Sequence, residues 1–314
     1  MKTRLIIAAA GLAVLVMSVV ALATPVEQFK FEVKNIKPDG RFTLFFTART
    51  FDTTGAPPPN PVQSFIRLPA GATLRPQFLN KRFWCNGPML RDSIDTRRTL
   101  SYRPFTKLVA NLAPVIKELS KDKSKRGRTQ LKNAQTCNRA RIGGGTAQID
   151  ARENFPELKD LIPADFSIFF AKPAHGAVGG FTVLGAARET SPEVKQNPII
   201  AGVHAVLPAN FYNDPTPDGL YGYKLVLPPN TVNTITVSIA VLQVKTTGLT
   251  LLKGECLKQG RHGRCAKRQK KTLFWFTTPK CPASGRLSFQ AFYDYNPPTA
   301  DQTKLFELAC PKFL

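Results

Sequence analysis

The chain has 314 residues, 43% hydrophobic and 10% aromatic, with 44 Lys and Arg against 21 Asp and Glu for a net charge of +23. That apolar content excludes a disordered basic tail and suffices for a sizeable core, in one elaborated domain or two small ones. The positive excess makes polyanions the class of partner the surface attracts.

The chain opens "MKTRLIIAAAGLAVLVMSVVALATPVEQ". Lys2 and Arg4 precede an uncharged apolar stretch from Leu5 to Ala23, and Ala21-Leu22-Ala23 has the small-x-small form that a signal peptidase accepts. This predicts a signal peptide over residues 1–23 and export of residues 24–314. Retention as an uncleaved anchor is the alternative, and in that case alone the chain has a membrane partner; both readings leave the remainder outside the cytoplasm. The first cysteine is Cys85, which argues against a lipid anchor at the cleavage point. The leader carries two of the 44 cations and none of the acids, so the exported chain keeps an excess of 21.

After the leader, a two-residue alternation dominates. In "QFKFEVKNIKPDGRFTLFFTART", Phe29, Phe31 and Val33 fall on one face and Lys30, Glu32 and Lys34 on the other. A turn at Pro38-Asp39-Gly40 leads into Phe42, Leu44, Phe46 and Ala48, so the segment is predicted to be a β-hairpin. Further strands are predicted at "SFIRLP", "GTAQIDAR", "DFSIFFAKP", "GFTVLGAA", "GVHAVLP", "GYKLVLP", "NTITVSIAVLQV", "KTLFWF", "RLSFQAFYDY" and "TKLFELAC". Short strands separated by Gly, Pro and Asn-Pro, with no βαβ alternation, predict an all-β fold, an antiparallel β-sandwich. Residues 24–314 form one such domain; two tandem sandwiches divided near residues 156–163 are the alternative, on a faint echo between "RFTLFFTARTFD" and "RLSFQAFYDYNPP".

One segment departs from the alternation. "FTKLVANLAPVIKELSKDKSKRGRTQLKNAQ" places Phe105, Leu108, Leu112, Val115, Ile116 and Leu119 near one helical stripe, with Pro114 a kink or restart. The expectation is a helical insertion near residues 101–135, passing into a solvated basic loop. Six cysteines in an exported chain predict three disulfides. The pairing expected is Cys85 with Cys137 across the base of the insertion, Cys256 with Cys265, and Cys281 with Cys310. Zinc is disfavoured, since paired C-x-x-C knuckles are missing from the sequence.

No catalytic, cofactor or metal residues are predicted. The sequence holds no G-x-S-x-G elbow, H-E-x-x-H pair or P-loop. His175, His204 and His262 stand in unrelated settings, with only His204 inside an apolar strand. Asp214 with Asp218, and Asp294 with Asp301, read as turn formers rather than calcium ligands. Gly143-Gly144-Gly145 precedes a strand and not a helix, which makes it a loop or bulge rather than a phosphate cradle.

The positive charge is concentrated. Residues 253–271 hold eight cations and one acid, and residues 117–132 hold seven and two, so these two segments supply 12 of the 21 excess charges. Lys123, Lys125, Arg126, Arg128, Arg261, Arg264, Lys267, Arg268, Lys270 and Lys271 are the candidate polyanion-binding residues. The aromatics after the second cluster fall on both faces of a strand, which argues against base stacking and specific nucleic-acid recognition.

"IPADFSIFFAKPA", "NPIIAGVHAVLPANFYNDPTPDGLYGYKLVLPP" and "TTPKCPASGRLSFQAFYDY" resemble segments of a group of secreted actinobacterial proteins with no assigned activity. The resemblance implies export into a thick envelope rich in anionic polymers. The functional expectation is a non-enzymatic envelope-associated or extracellular binding protein whose basic loops meet an anionic polymer or polysaccharide. A secreted carbohydrate-active enzyme, with two carboxylates about 5 to 10 Å apart, is the competing class.

Overall fold

The computed structural model describes residues 25–34, 43–52, 61–74, 84–94, 112–153, 155–158, 160–188, 190–196, 204–227, 231–232, 235–236, 238–246, 249–251, 256–259, 265–268, 271–273, 276–277, 281–295 and 299–310. The leader, Arg261, Arg264 and Lys270 lie outside them.

The first hairpin is β1 (Pro25–Lys34) and β2 (Thr43–Asp52), with Phe31 opposite Phe46. β3 (Gln63–Pro69) and β4 (Thr73–Leu74) follow, then three helices: α1 (Gly87–Ile94), α2 (Ala113–Leu119) and α3 (Lys125–Ala140). β5 (Arg141–Asp150), β6 (Ile162–Ala171) and β7 (Gly179–Ala187) lead through α4 (Pro192–Gln196) to β8 (His204–Asn213) and β9 (Tyr221–Leu227). β10 (Thr231–Val232) and β11 (Ile235–Thr236) form a small ladder before β12 (Ser238–Thr246). Then come β13 (Leu249–Leu251), β14 (Cys256–Gln259), β15 (Cys265–Arg268), β16 (Lys271–Leu273), β17 (Phe276–Thr277), β18 (Arg286–Asp294) and β19 (Gln302–Ala309).

The architecture is mostly antiparallel β, and the sandwich is not what the strand order shows. Eleven strands form a single sheet in the order β1-β2-β12-β5-β6-β7-β8-β9-β3-β18-β19, and its two outermost strands, β1 and β19, come back beside each other. The sheet is curled. Strand alternation cannot separate these outcomes, because a twisted sheet that rolls up and one that stacks on another bury every second residue alike. β5 and β6, which flank residues 156–163 in sequence, are adjacent in this sheet.

The triple glycine lies within β5, where the register shifts between Arg141 and Gly143. A Cβ on Gly145 would stand 1.8 Å from the Gln243 carbonyl oxygen of β12, so the strands approach too closely there for any side chain.

The core joins the sheet to the helices. Phe169, Phe181, Leu184 and Phe211 share one buried cluster with Leu90 of α1, Val115 and Leu119 of α2, and Ala134 and Cys137 of α3. Phe181 stacks edge-on against Phe211 at 4.9 Å and lies 5.5 Å from Phe170. Two disulfides, Cys85–Cys137 and Cys281–Cys310, join two of the three expected pairs. Cys256 and Cys265 lie on the paired strands β14 and β15, but their side chains fall outside the described residues.

Pro114 sits in the first turn of α2, where its missing N–H costs nothing, so it marks a helix start; Phe105 and Leu108 lie outside the described residues. The larger correction concerns the segment after it. The expected solvated loop is α3, at 16 residues the longest described helix, and α1 extends the helical part upstream of the predicted insertion. Cys137 ties α3 to Cys85, whose N–H donates to the Phe170 carbonyl at 2.6 Å on β6. Asp92 of α1 accepts hydrogen bonds from Gln130 and Asn133 of α3.

Candidate functional site

α3 begins at Ser124, whose extended backbone (φ −62°, ψ 157°) lets its hydroxyl accept the Gly127 N–H at 3.0 Å. Asp122 accepts the Ser124 N–H at 2.9 Å and lies against Gly127. At 100° per residue, the buried positions Gly127, Gln130, Ala134, Thr136, Cys137 and Ala140 span about 180° of the helix circumference. They are small or polar, and for that reason no hydrophobic stripe marks the helix in the sequence.

The opposite side is basic. Lys125, Arg128, Lys132 and Arg139 share an arc of about 60° and run about 21 Å along the axis. All four are exposed, as are Lys123 and Arg126. "KRGRTQLKNAQTCNRA" contains no acid. Arg128 donates to the Lys123 carbonyl at 2.7 Å and Arg139 to the Thr136 hydroxyl at 3.3 Å. Among the described residues, none of the four pairs with a carboxylate, whereas nearby Lys121 is taken by Glu118 at 2.7 Å. Sequence reasoning found Lys123, Lys125, Arg126 and Arg128 but missed Lys132 and Arg139. Their spacing of three, four and seven residues was the available signal, and it is meaningful only on a helix.

The rest of the exposed arc is Thr129, Gln135 and Asn138. With no apolar wedge to enter a bilayer and no aromatic to stack a base, the arc offers solvated charge alone. That chemistry suits an anionic polymer held through counterion release.

The fold also places part of the second basic segment. β13 lies against α3 and pairs with β16, setting Leu251 opposite Lys271. Between them the chain makes the β14–β15 ladder, in which Lys258 stands opposite Lys267 and Cys256 opposite Arg268. Lys267, Arg268 and Lys271 thus sit on an excursion rooted beside α3, together with Lys258, which the sequence reading left out.

Several of the described carboxylates serve turns and ion pairs. Asp218 accepts from Thr216 and the Leu220 N–H ahead of Gly219, a glycine at φ +70°, and Asp301 accepts the Tyr295 N–H. Asp214 takes Arg67 at 2.8 Å and Lys224 at 3.5 Å. Burial pushes its pKa up, but the two cations outweigh burial and hold it below the usual aspartate range. Asp150 is likewise raised by burial and more strongly lowered by Arg152. Every described carboxylate with a resolved shift is thus depressed, the opposite of what a general acid needs. No group of three metal-ligating side chains, and no helix long and apolar enough to cross a membrane, occurs among the described residues.

Comparison of the chain with protein-family models, with curated proteins and with solved structures finds no match.

Proposed function

We propose that the protein is a non-enzymatic, extracytoplasmic binding protein that holds an anionic polymer of the cell envelope along α3. One observation carries this reading: a helix with five cations and no acid, anchored by its small-residue side, presents four of those cations in one line to solvent. The leader-like N-terminus, the resemblance to secreted actinobacterial proteins and the two disulfides support the location.

The test is retention on isolated envelope across a salt series. Each phosphate-like contact contributes about 0.7 to 0.9 to the slope of log affinity against log salt. Changing Lys125, Arg128, Lys132 and Arg139 together to Gln should therefore flatten the slope by about 3. Retention indifferent to salt, or a slope untouched by the four substitutions, rejects the proposal.

A further inference from the structure

We infer that the two basic segments, far apart in sequence, form one bipartite surface that a single long linear polyanion bridges. This rests on the binding role of α3 and goes further, because it specifies a polymer long enough to occupy both parts rather than a single phosphate or a flat anionic membrane.

Two observations carry it. The first is topological: β13 lies against α3 and pairs with β16, so the ladder bearing Lys258, Lys267 and Arg268 departs from and returns to the flank of the basic helix. The second is the charge that each part carries: the excursion holds Lys258, Lys267, Arg268 and Lys271, with Lys258 and Lys267 at paired backbone positions. The α3 line, for its part, has no carboxylate partner among the described residues. Two cationic tracts sharing one root lower each other's cost of binding the same polymer. Once one tract holds a chain, the other meets it at high effective concentration.

A flat membrane fits less well, since the exposed arc of α3 carries no apolar residue to seat in a headgroup layer. A free phosphate would use one end of the 60° line and leave the rest unoccupied.

The experiment uses the full exported chain in low salt, titrated calorimetrically with inorganic triphosphate, with long-chain inorganic polyphosphate and with phosphatidylglycerol vesicles. Long-chain polyphosphate should bind one chain per protein, tighter than triphosphate by on the order of a hundredfold. Neutralising either set, Lys125, Arg128, Lys132 and Arg139 or Lys258, Lys267, Arg268 and Lys271, all to Gln, should cut long-chain affinity at least about tenfold with the stoichiometry unchanged. Triphosphate affinity at the intact set should hardly move. The wild-type chain-length series needs no variant, so a misfolded variant does not rescue the idea. Two independent surfaces would instead lose half their sites with unchanged affinity at the rest, which overturns the bridging while leaving the α3 role standing. Indifference to loss of the β14–β16 set, or vesicle binding without polyphosphate binding, overturns it too. Absence of all polyanion binding overturns both.

Discussion

Replacing Gly127 with Ala sets two effects of opposite sign against each other. Intrinsic propensity favours Ala over Gly inside a helix by about 1 kcal/mol. The local geometry opposes it. A Cβ at position 127 would stand 2.3 Å from Asp122 Cγ, 2.5 Å from its Cβ and 2.7 Å from its Oδ1, so rotating the carboxylate away cannot relieve the overlap and the backbone must shift. The shift breaks the 2.9 Å bond from Ser124 N–H to Asp122 and strains the 3.0 Å cap from Gly127 N–H to Ser124. Losing a hydrogen bond to a charged acceptor and weakening a cap cost about 2 to 3 kcal/mol together. The expected net is destabilisation of about 1 to 2 kcal/mol, read as a lower urea midpoint at unchanged m. The double variant with Asp122→Gly removes the colliding atoms, and there Gly127→Ala should turn neutral or stabilising. A stabilised single variant would show that propensity wins and that this account of the α3 start is wrong.

Other outcomes follow from the same geometry. Removing the Cys85–Cys137 bond by changing both cysteines to Ser frees a 52-residue loop, for which loop-closure entropy gives about 4 kcal/mol of lost stability; a loss below about 1 kcal/mol in a denaturant titration would refute it. Arg152→Gln strips the partner from Asp150, whose side chain is 1% exposed, and should cost about 3 kcal/mol at neutral pH. The effect fades with acid. In the native protein Asp150 stays below the usual aspartate range, so its contribution is present above that range and lost as pH falls through the lower folded value. Without the Arg152 guanidinium, only the backbone N–H of residue 152 still opposes burial, and protonation relieves the buried charge. The penalty of the variant should therefore shrink toward acid pH, and a pH-independent penalty measured by thermal unfolding would contradict the pairing.

Much of the strand content was legible because a half-buried strand writes its period into the chain: Phe29, Phe31 and Val33 announce β1 before any pairing is known. The order of the strands was not legible. β12 inserts between β2 and β5, and β3 between β9 and β18, through contacts between segments far apart in sequence. One trace of that order was in view, since Gly145 is glycine because the Gln243 backbone lies where its side chain would be, but the sequence does not name the neighbour. α3 was misread for a physical reason. Its core side is Gly127, Gln130, Ala134 and Cys137, which bury well against α1 and the sheet yet score as polar or neutral, and its loudest residues are the charges facing away. The cations were legible as a cluster and not as a line on a helix.

The placement of the charge bears on whether it serves solubility or a partner. A soluble surface needs net charge, which both signs interspersed supply at little cost. In this chain, Lys125, Arg126 and Arg128 crowd the first turn of α3 with no acid among them, against a macrodipole that penalises each cation there by about 0.3 to 1 kcal/mol. Asp122, Ser124 and Gly127 are arranged to offset that penalty locally. Solubility alone would be met by the same cations at the C-terminal end of the helix, where the dipole favours them. Positive charge kept where it weakens the fold, and held in a line by a disulfide-anchored helix, is what the proposed anionic partner would account for and what solubility alone would not.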